Sequence, residues 1–120
     1  MKNKKQRLRD QADGLWKIAV IDRWGNICES CGKESLTPHH FFAKGLYPEL
    51  RYEVNNGVPL CSKCHFFHHH KVSPEIHLDV IEKRGKKWYN RLEEKSRENQ
   101  LSFQTEEWYQ KQIQQLKNLT

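Results

Sequence analysis

The chain has no long apolar run. Its 120 residues are 36% hydrophobic, with a mean hydropathy of −0.97. Nothing approaches the roughly 18 consecutive apolar residues that a membrane-spanning helix needs. No apolar stretch follows the basic N-terminus, so there is no sign of a secretory signal. The expectation is a soluble, cytoplasmic protein with no membrane partner. Internal repeats are lacking, and the one low-complexity block is the histidine cluster near position 68. The length admits a single domain and excludes a large enzyme with its own cofactor-binding domain. So little apolar surface leaves a marginal core, and some further constraint has to hold the fold.

Acid is also in short supply. Lys and Arg number 21 against 15 Asp and Glu, a net charge of +6. Residues 1–9 hold Lys2, Lys4, Lys5, Arg7 and Arg9 and no acid. A surplus of this size favours an anionic partner, with nucleic acid ahead of a membrane surface or an acidic protein. A merely soluble basic protein would carry the same charge. The N-terminal segment reads either as a basic arm that touches phosphates or as a solvated helix start.

Four cysteines fall in two C-x-x-C pairs, Cys28 with Cys31 and Cys61 with Cys64. In a basic chain without a signal this pattern predicts a tetrahedral structural zinc site rather than a disulfide framework. Gly32 suits the tight turn after the first pair. Zinc binding to such a site is itself folding free energy, which supplies the missing constraint.

Apolar periodicity predicts a helix over about 11–24, ended by Gly25-Asn26. Pro38, Gly45, Pro48, Gly57 and Pro59 break up the next stretch. It reads as a short strand around 36–42, a long loop over 43–56 and a second short strand at 57–60. A helix then runs from Cys61 to about His70. Ser73 and Pro74 open another, with Ile76, Val80, Ile81, Trp88 and Leu92 on its stripe. Gly85 could divide this into two. Thr105 caps a last helix, whose apolar face (Trp108, Ile113, Leu116) serves either packing or a partner. The fold class is α+β. The expected units are an N-terminal arm and helix (1–27), a metal-bearing core (28–73) and C-terminal helices (74–120).

Between and after the cysteine pairs stand His39-His40, Asn56, and the pair His65 and His69. Histidines at i and i+4 face the same side of a helix and can converge on one ion. His39 and His40, adjacent on a strand, point to opposite sides. Zinc knuckles at both ends would hold this stretch rigid, as a catalytic site requires. Each residue also has a plainer reading: a half-buried histidine at 39 or 40, a zinc ligand at 65, a solvated helix face at His68–His70. Phe41, Phe42, Phe66 and Phe67 read as core, and His77 as a surface or packing residue. Lys44, Arg51, Arg84, Lys86, Lys87 and Arg91 are candidates for contacts that position a nucleic-acid backbone.

The stretches CESCG, LTPHHFF and RYEVNNGVPLCSKCHFFHH, within residues 28–69, resemble the HNH endonuclease family, also called His-Me finger nucleases. The nearest style is the small phage or prophage protein, and VIEKRGKKWYNRLEE is similar to the segment that follows the site in many of them. The resemblance implies a ββα-metal core with zinc knuckles and double-stranded DNA as partner. It implies that His39 is a ligand of a catalytic divalent metal, His40 the general base, and His65 and His69 the remaining ligands. The i,i+4 relation selects His69 over His68 and His70. Asn56 would position the base and its loop. Many members carry Asp in place of the first histidine and then use the asparagine as a ligand, so His39 shifts the implied set towards histidine alone.

The implied reaction is hydrolysis of a DNA phosphodiester, nicking or cutting duplex DNA with low sequence preference. Its products carry 5′-phosphate and 3′-hydroxyl ends. Mg²⁺ or Mn²⁺ is the implied working ion, and imidazole ligands also accept Zn²⁺ or Ni²⁺. The implied setting is the cytoplasm of a bacterial host, with the protein encoded by a phage or prophage. Two other readings stand beside this one. The first is a non-catalytic zinc module that binds nucleic acid. The second is an accessory nuclease active only with a phage packaging (terminase) complex.

Overall fold

The structure is a computed structural model. It describes residues 1–35, 37–70, 74–97 and 104–119, without the side chains of residues 67–70 and 74. The architecture is α+β, mostly helical, with one small sheet. Its elements are α1 (Lys4–Trp24), β1 (Pro38–His40), β2 (Gly57–Pro59), α2 (Ser62–His70), α3 (Pro74–Arg84), α4 (Lys86–Ser96) and α5 (Glu106–Leu119).

α1 begins well before position 11, and the reason lies in Asn3 and Gln6. The Asn3 side chain accepts from the Gln6 amide at 2.8 Å, and the Gln6 side chain accepts from the Asn3 amide at 3.0 Å. This reciprocal box satisfies two otherwise orphaned donors and starts the helix inside the basic segment. The basic residues of 4–9 are therefore helical.

β1 and β2 pair antiparallel in the register Pro38 with Pro59, His39 with Val58, and His40 with Gly57. Both strands are three residues long, shorter than the expected spans. The loop between them is not featureless: it holds two 3₁₀ turns, Pro48–Leu50 and Val54–Asn56. Gly57 is needed for packing. A Cβ there would stand 2.2 Å from the Val20 side chain, so α1 lies directly on β2 only because nothing projects from that position.

α3 and α4 are separate helices, divided at Gly85 with φ +95°. The expected cap at Ser73 lies outside the described residues. Thr105 does cap α5, its hydroxyl accepting from the Trp108 amide at 3.1 Å.

Buried side chains form two clusters. One joins α1 to α5 through Ala12, Trp16, Ala19, Val20, Trp108, Tyr109, Ile113 and Leu116, with Tyr52 and Val54 from the loop. The apolar face of α5 is therefore spent on α1. The other gathers Cys28, Phe41, Leu50, Val58, Leu60, Cys64, Ile76, Val80, Trp88 and Leu92 around the sheet. Trp24 packs against both. Among the described residues, no helix is long and apolar enough to cross a membrane.

Candidate functional site

The four cysteines meet. One sulfur from each of Cys28, Cys31, Cys61 and Cys64 lies within 4.8 Å of the others, and Cys31 and Cys61 approach to 3.5 Å. Tetrahedral Zn–S bonds of about 2.3 Å put sulfurs about 3.8 Å apart. The four thiols are thus positioned to hold a metal ion, and an all-sulfur donor set suits zinc.

Local backbone builds this geometry. The Gly32 amide donates to the Cys28 carbonyl at 3.0 Å, and the Cys28 amide to the Lys33 carbonyl at 2.6 Å. The Glu29 amide donates to the Pro59 carbonyl at 2.9 Å, tying the first knuckle to β2. Ser30 donates to Asp79 at 3.0 Å, tying it to α3.

The thiols differ in acidity. Burial works to raise the Cys28 thiol, but the amides of Cys31, Cys61 and Ser30 outweigh it and bring the thiol down to about 6. Burial and the neighbouring sulfurs push Cys64 up to about 12. The Cys64 amide lowers Cys61. Four thiolates this close repel one another, and a divalent cation among them removes that penalty.

His39 and His40 point to opposite sides of β1, as the two-residue period predicts. The His39 ring stacks on His65 from α2, centroids 3.5 Å apart and planes 11° off parallel. Rings stacked face to face carry their in-plane nitrogen lone pairs in parallel planes 3.5 Å apart, so the two must tilt from this arrangement to share one ion. His69 lies on α2 one turn after His65, but its side chain is outside the described residues, as are those of His68 and His70.

His40 faces α1. Its ring stacks on Trp16 at 4.0 Å and 4°, and its Nε2 lies 2.9 Å from the Arg51 carbonyl. A carbonyl only accepts, so Nε2 carries the proton and Nδ1 is left as the basic nitrogen. Burial, then the Lys44 and Arg51 charges, push His40 down to about 4, against the Arg51 carbonyl and Asp13, which pull it up. The ring is neutral at pH 7, as a proton acceptor has to be.

Asn56 is fully buried. Its amide donates to the Phe42 and Leu50 carbonyls, both at 3.1 Å, and its carbonyl accepts from the Phe42 amide at 2.8 Å. It pins both ends of the 42–50 loop next to His40, and all three of these side-chain hydrogen bonds go to backbone. His77 packs, stacking on Phe41 at 4.2 Å.

The expected nucleic-acid contacts divide into two groups. Lys44, Lys86, Lys87 and Arg91 are exposed. Arg51 and Arg84 are largely enclosed and engaged within the fold. The Arg51 side chain is 13% exposed and clamps Asp13 of α1, with Nη2 at 3.0 and 3.1 Å from the two carboxylate oxygens. The Arg84 side chain is 2% exposed. Its Nε donates to Glu29 at 2.8 and 3.0 Å, its Nη1 to the Asn55 carbonyl at 3.1 Å and its Nη2 to the Gly57 carbonyl at 2.8 Å. It also lies 3.6 Å over the Trp24 ring. Each guanidinium is thus held by a carboxylate of another part of the chain.

A groove of about 420 Å³ opens between the end of α1 and α4. Arg23, Lys87, Arg91 and Lys95 stand around it, and Trp24, Trp88 and Leu92 are among its lining. Arg23 and Lys95 were not expected there, and Asp13 and Trp16 were not expected near the histidines. On the sequence these four are ordinary α1 and α4 residues, and no local signal marks them. Comparison with protein-family models, with curated proteins and with solved structures returns no match.

Proposed function

We propose that the chain is a metal-dependent endonuclease of the HNH type, hydrolysing phosphodiester bonds in double-stranded DNA. On this reading β1, β2 and α2 are the ββα-metal unit, and the cysteine cluster holds a structural zinc. The observation that carries the reading is the division of labour between adjacent histidines. His39 meets His65 face to face. His40, turned the other way, has its Nε2–H tied to the Arg51 carbonyl and so offers Nδ1 as a base.

His39, His65 and His69 would hold a divalent ion, Mg²⁺ or Mn²⁺. Bound there, the ion supplies electrostatic stabilisation of the charge that builds on the phosphate and the leaving 3′ oxygen. His40 does the proton chemistry: Nδ1 takes a proton from water as the oxygen attacks phosphorus and the bond to the 3′ oxygen breaks; the leaving oxygen takes a proton from solvent, giving a 5′-phosphate and a 3′-hydroxyl. Asn56 keeps the loop beside His40 in place through its three backbone hydrogen bonds. The DNA backbone runs over exposed lysines and arginines, with the Arg23–Lys87–Arg91 groove as one seat. The phage or prophage setting belongs to the same reading.

Supercoiled plasmid incubated with each divalent ion in turn tests it. Nicking with Mg²⁺ or Mn²⁺, stopped by chelator and lowered about 100- to 10,000-fold by His40→Ala, is the expected result. A folded, zinc-loaded sample inert with every ion refutes the enzyme. If that sample still binds duplex DNA, the chain is a nucleic-acid-binding zinc module, a reading the basic groove also favours.

A further inference from the structure

We infer that α1 completes the candidate site, with Asp13 and Trp16 as positioning residues that hold His40 in one orientation and one tautomer. The catalytic consequence rests on the nuclease reading; the tautomer does not.

Two interactions fix the His40 ring, the Trp16 stack and the hydrogen bond to the Arg51 carbonyl. Both are anchored from α1. The Trp16 indole is itself held, its Nε1–H donating to the Glu53 carbonyl at 2.9 Å. The Arg51 carbonyl belongs to a two-residue segment gripped by one carboxylate. Asp13 accepts from the Arg51 guanidinium at 3.0–3.1 Å and from the Tyr52 hydroxyl at 2.8 Å. Residues 51 and 52 therefore cannot rotate without breaking an ion pair and a hydrogen bond to the half-buried Asp13 carboxylate.

Asp13 and Trp16 stand three apart on one face of α1. One helix face thus sets the position of the ring plane through Trp16 and of the proton-accepting carbonyl through Asp13. Without the Asp13 clamp the carbonyl can drift from Nε2, and the imidazole then samples both tautomers. Only the form with its lone pair on Nδ1 has the base in place, so a mixture lowers turnover without touching DNA affinity.

The test uses the full, zinc-loaded protein and two readouts. In the wild type, ring-nitrogen NMR at neutral pH should show His40 as a single tautomer protonated at Nε2. Asp13→Ala should give a mixture of tautomers. In the nicking assay it should lower kcat about ten-fold or more, with KM for plasmid DNA unchanged. Asp13→Asn keeps an acceptor for Tyr52 and part of the Arg51 interaction, so it should lie between the two. If Asp13→Ala does not fold, Asp13→Asn carries the test by the same signs.

Ring signals and kcat identical to wild type in a folded Asp13 variant overturn the inference, as does a wild-type His40 protonated at Nδ1. The two failures separate cleanly. Tautomer mixing in a chain that nicks with no ion leaves the positioning network standing and sinks the nuclease. Nicking that ignores Asp13, with His40 unmoved, does the reverse.

Discussion

The two buried clusters are held by different means. The α1–α5 side is side-chain packing between long helices, with Trp16, Trp108 and Tyr109 contributing large apolar area and only Tyr52 and Val54 coming from the loop. Such a core rests mainly on burial. The sheet side is built on two three-residue strands, and a two-stranded sheet is marginal in water. Its buried set includes Cys28 and Cys64, so the residues that fill this core are also two of the four that can grip an ion. The candidate histidines His39 and His65 sit on this second side, but the ring of His40 leans on the first. The molecule thus joins a half packed by long helices to a half whose core includes cysteines able to hold an ion.

The sharpest way to break that contrast is to remove one sulfur. Cys31 is exposed, so Cys31→Ser costs no packing and isolates coordination. Structural zinc contributes on the order of 10 kcal/mol to small domains, and most of it goes with one ligand. Zinc content should fall, and the melting transition should fall with it. Amide exchange should quicken in β1, β2 and α2 more than in α1 and α5. An unchanged melting curve, or equal loss of protection on both sides, would show that the sheet side stands without its ion.

A smaller effect is expected where the halves are riveted together. Arg84 reaches from α3 to Glu29 in the first knuckle and to the carbonyls of Asn55 and Gly57, while lying over Trp24, the side chain common to both cores. Burial weakens its hold on the proton, and Glu29 opposes that. Arg84→Ala leaves the Glu29 carboxylate buried without its partner, a loss of about 3–5 kcal/mol. Arg84→Lys should recover only part, because a point charge cannot span a carboxylate and two carbonyls at once. Chemical denaturation of the three proteins measures it, and a wild-type midpoint for Arg84→Ala would place the rivet elsewhere.

Arg51 and Arg84 also mark the limit of what the sequence discloses. The cysteine quartet was legible because C-x-x-C is a local pattern with one dominant use, and four sulfurs do come together. The alternation at His39 and His40 was legible because a strand has period two. The helices after position 60 followed from their stripes and from Gly85. Of the two readings of the N-terminal segment, the helix start is the one seen, and the Asn3–Gln6 box is its local signal. Arg51 and Arg84 were not legible as buried, since their acidic partners lie 38 and 55 residues away in the chain. Nothing local distinguishes an arginine bound for a buried carboxylate from one bound for solvent. The candidate catalytic ion sits at the same limit, because the side chain of its third expected ligand, His69, is outside the described residues.

The smallest effect on stability, and the one that separates surface charge from buried charge, is expected in the groove. Lys87, Arg91 and Lys95 recur every fourth residue along α4, about 6 Å apart in rise, a step close to that between successive phosphates of one strand. Lys95 is already paired with Glu53, which leaves Lys87 and Arg91 as the exposed pair. Replacing both with Gln should leave melting and zinc content as they are, unlike Arg84→Ala one turn away. Affinity for a short DNA duplex, measured in the His40→Ala background across a range of salt, should drop. The slope of log K against log salt should flatten by about 2, near 0.9 for each phosphate no longer neutralised. An unchanged slope would mean that α4 presents its cations to solvent alone.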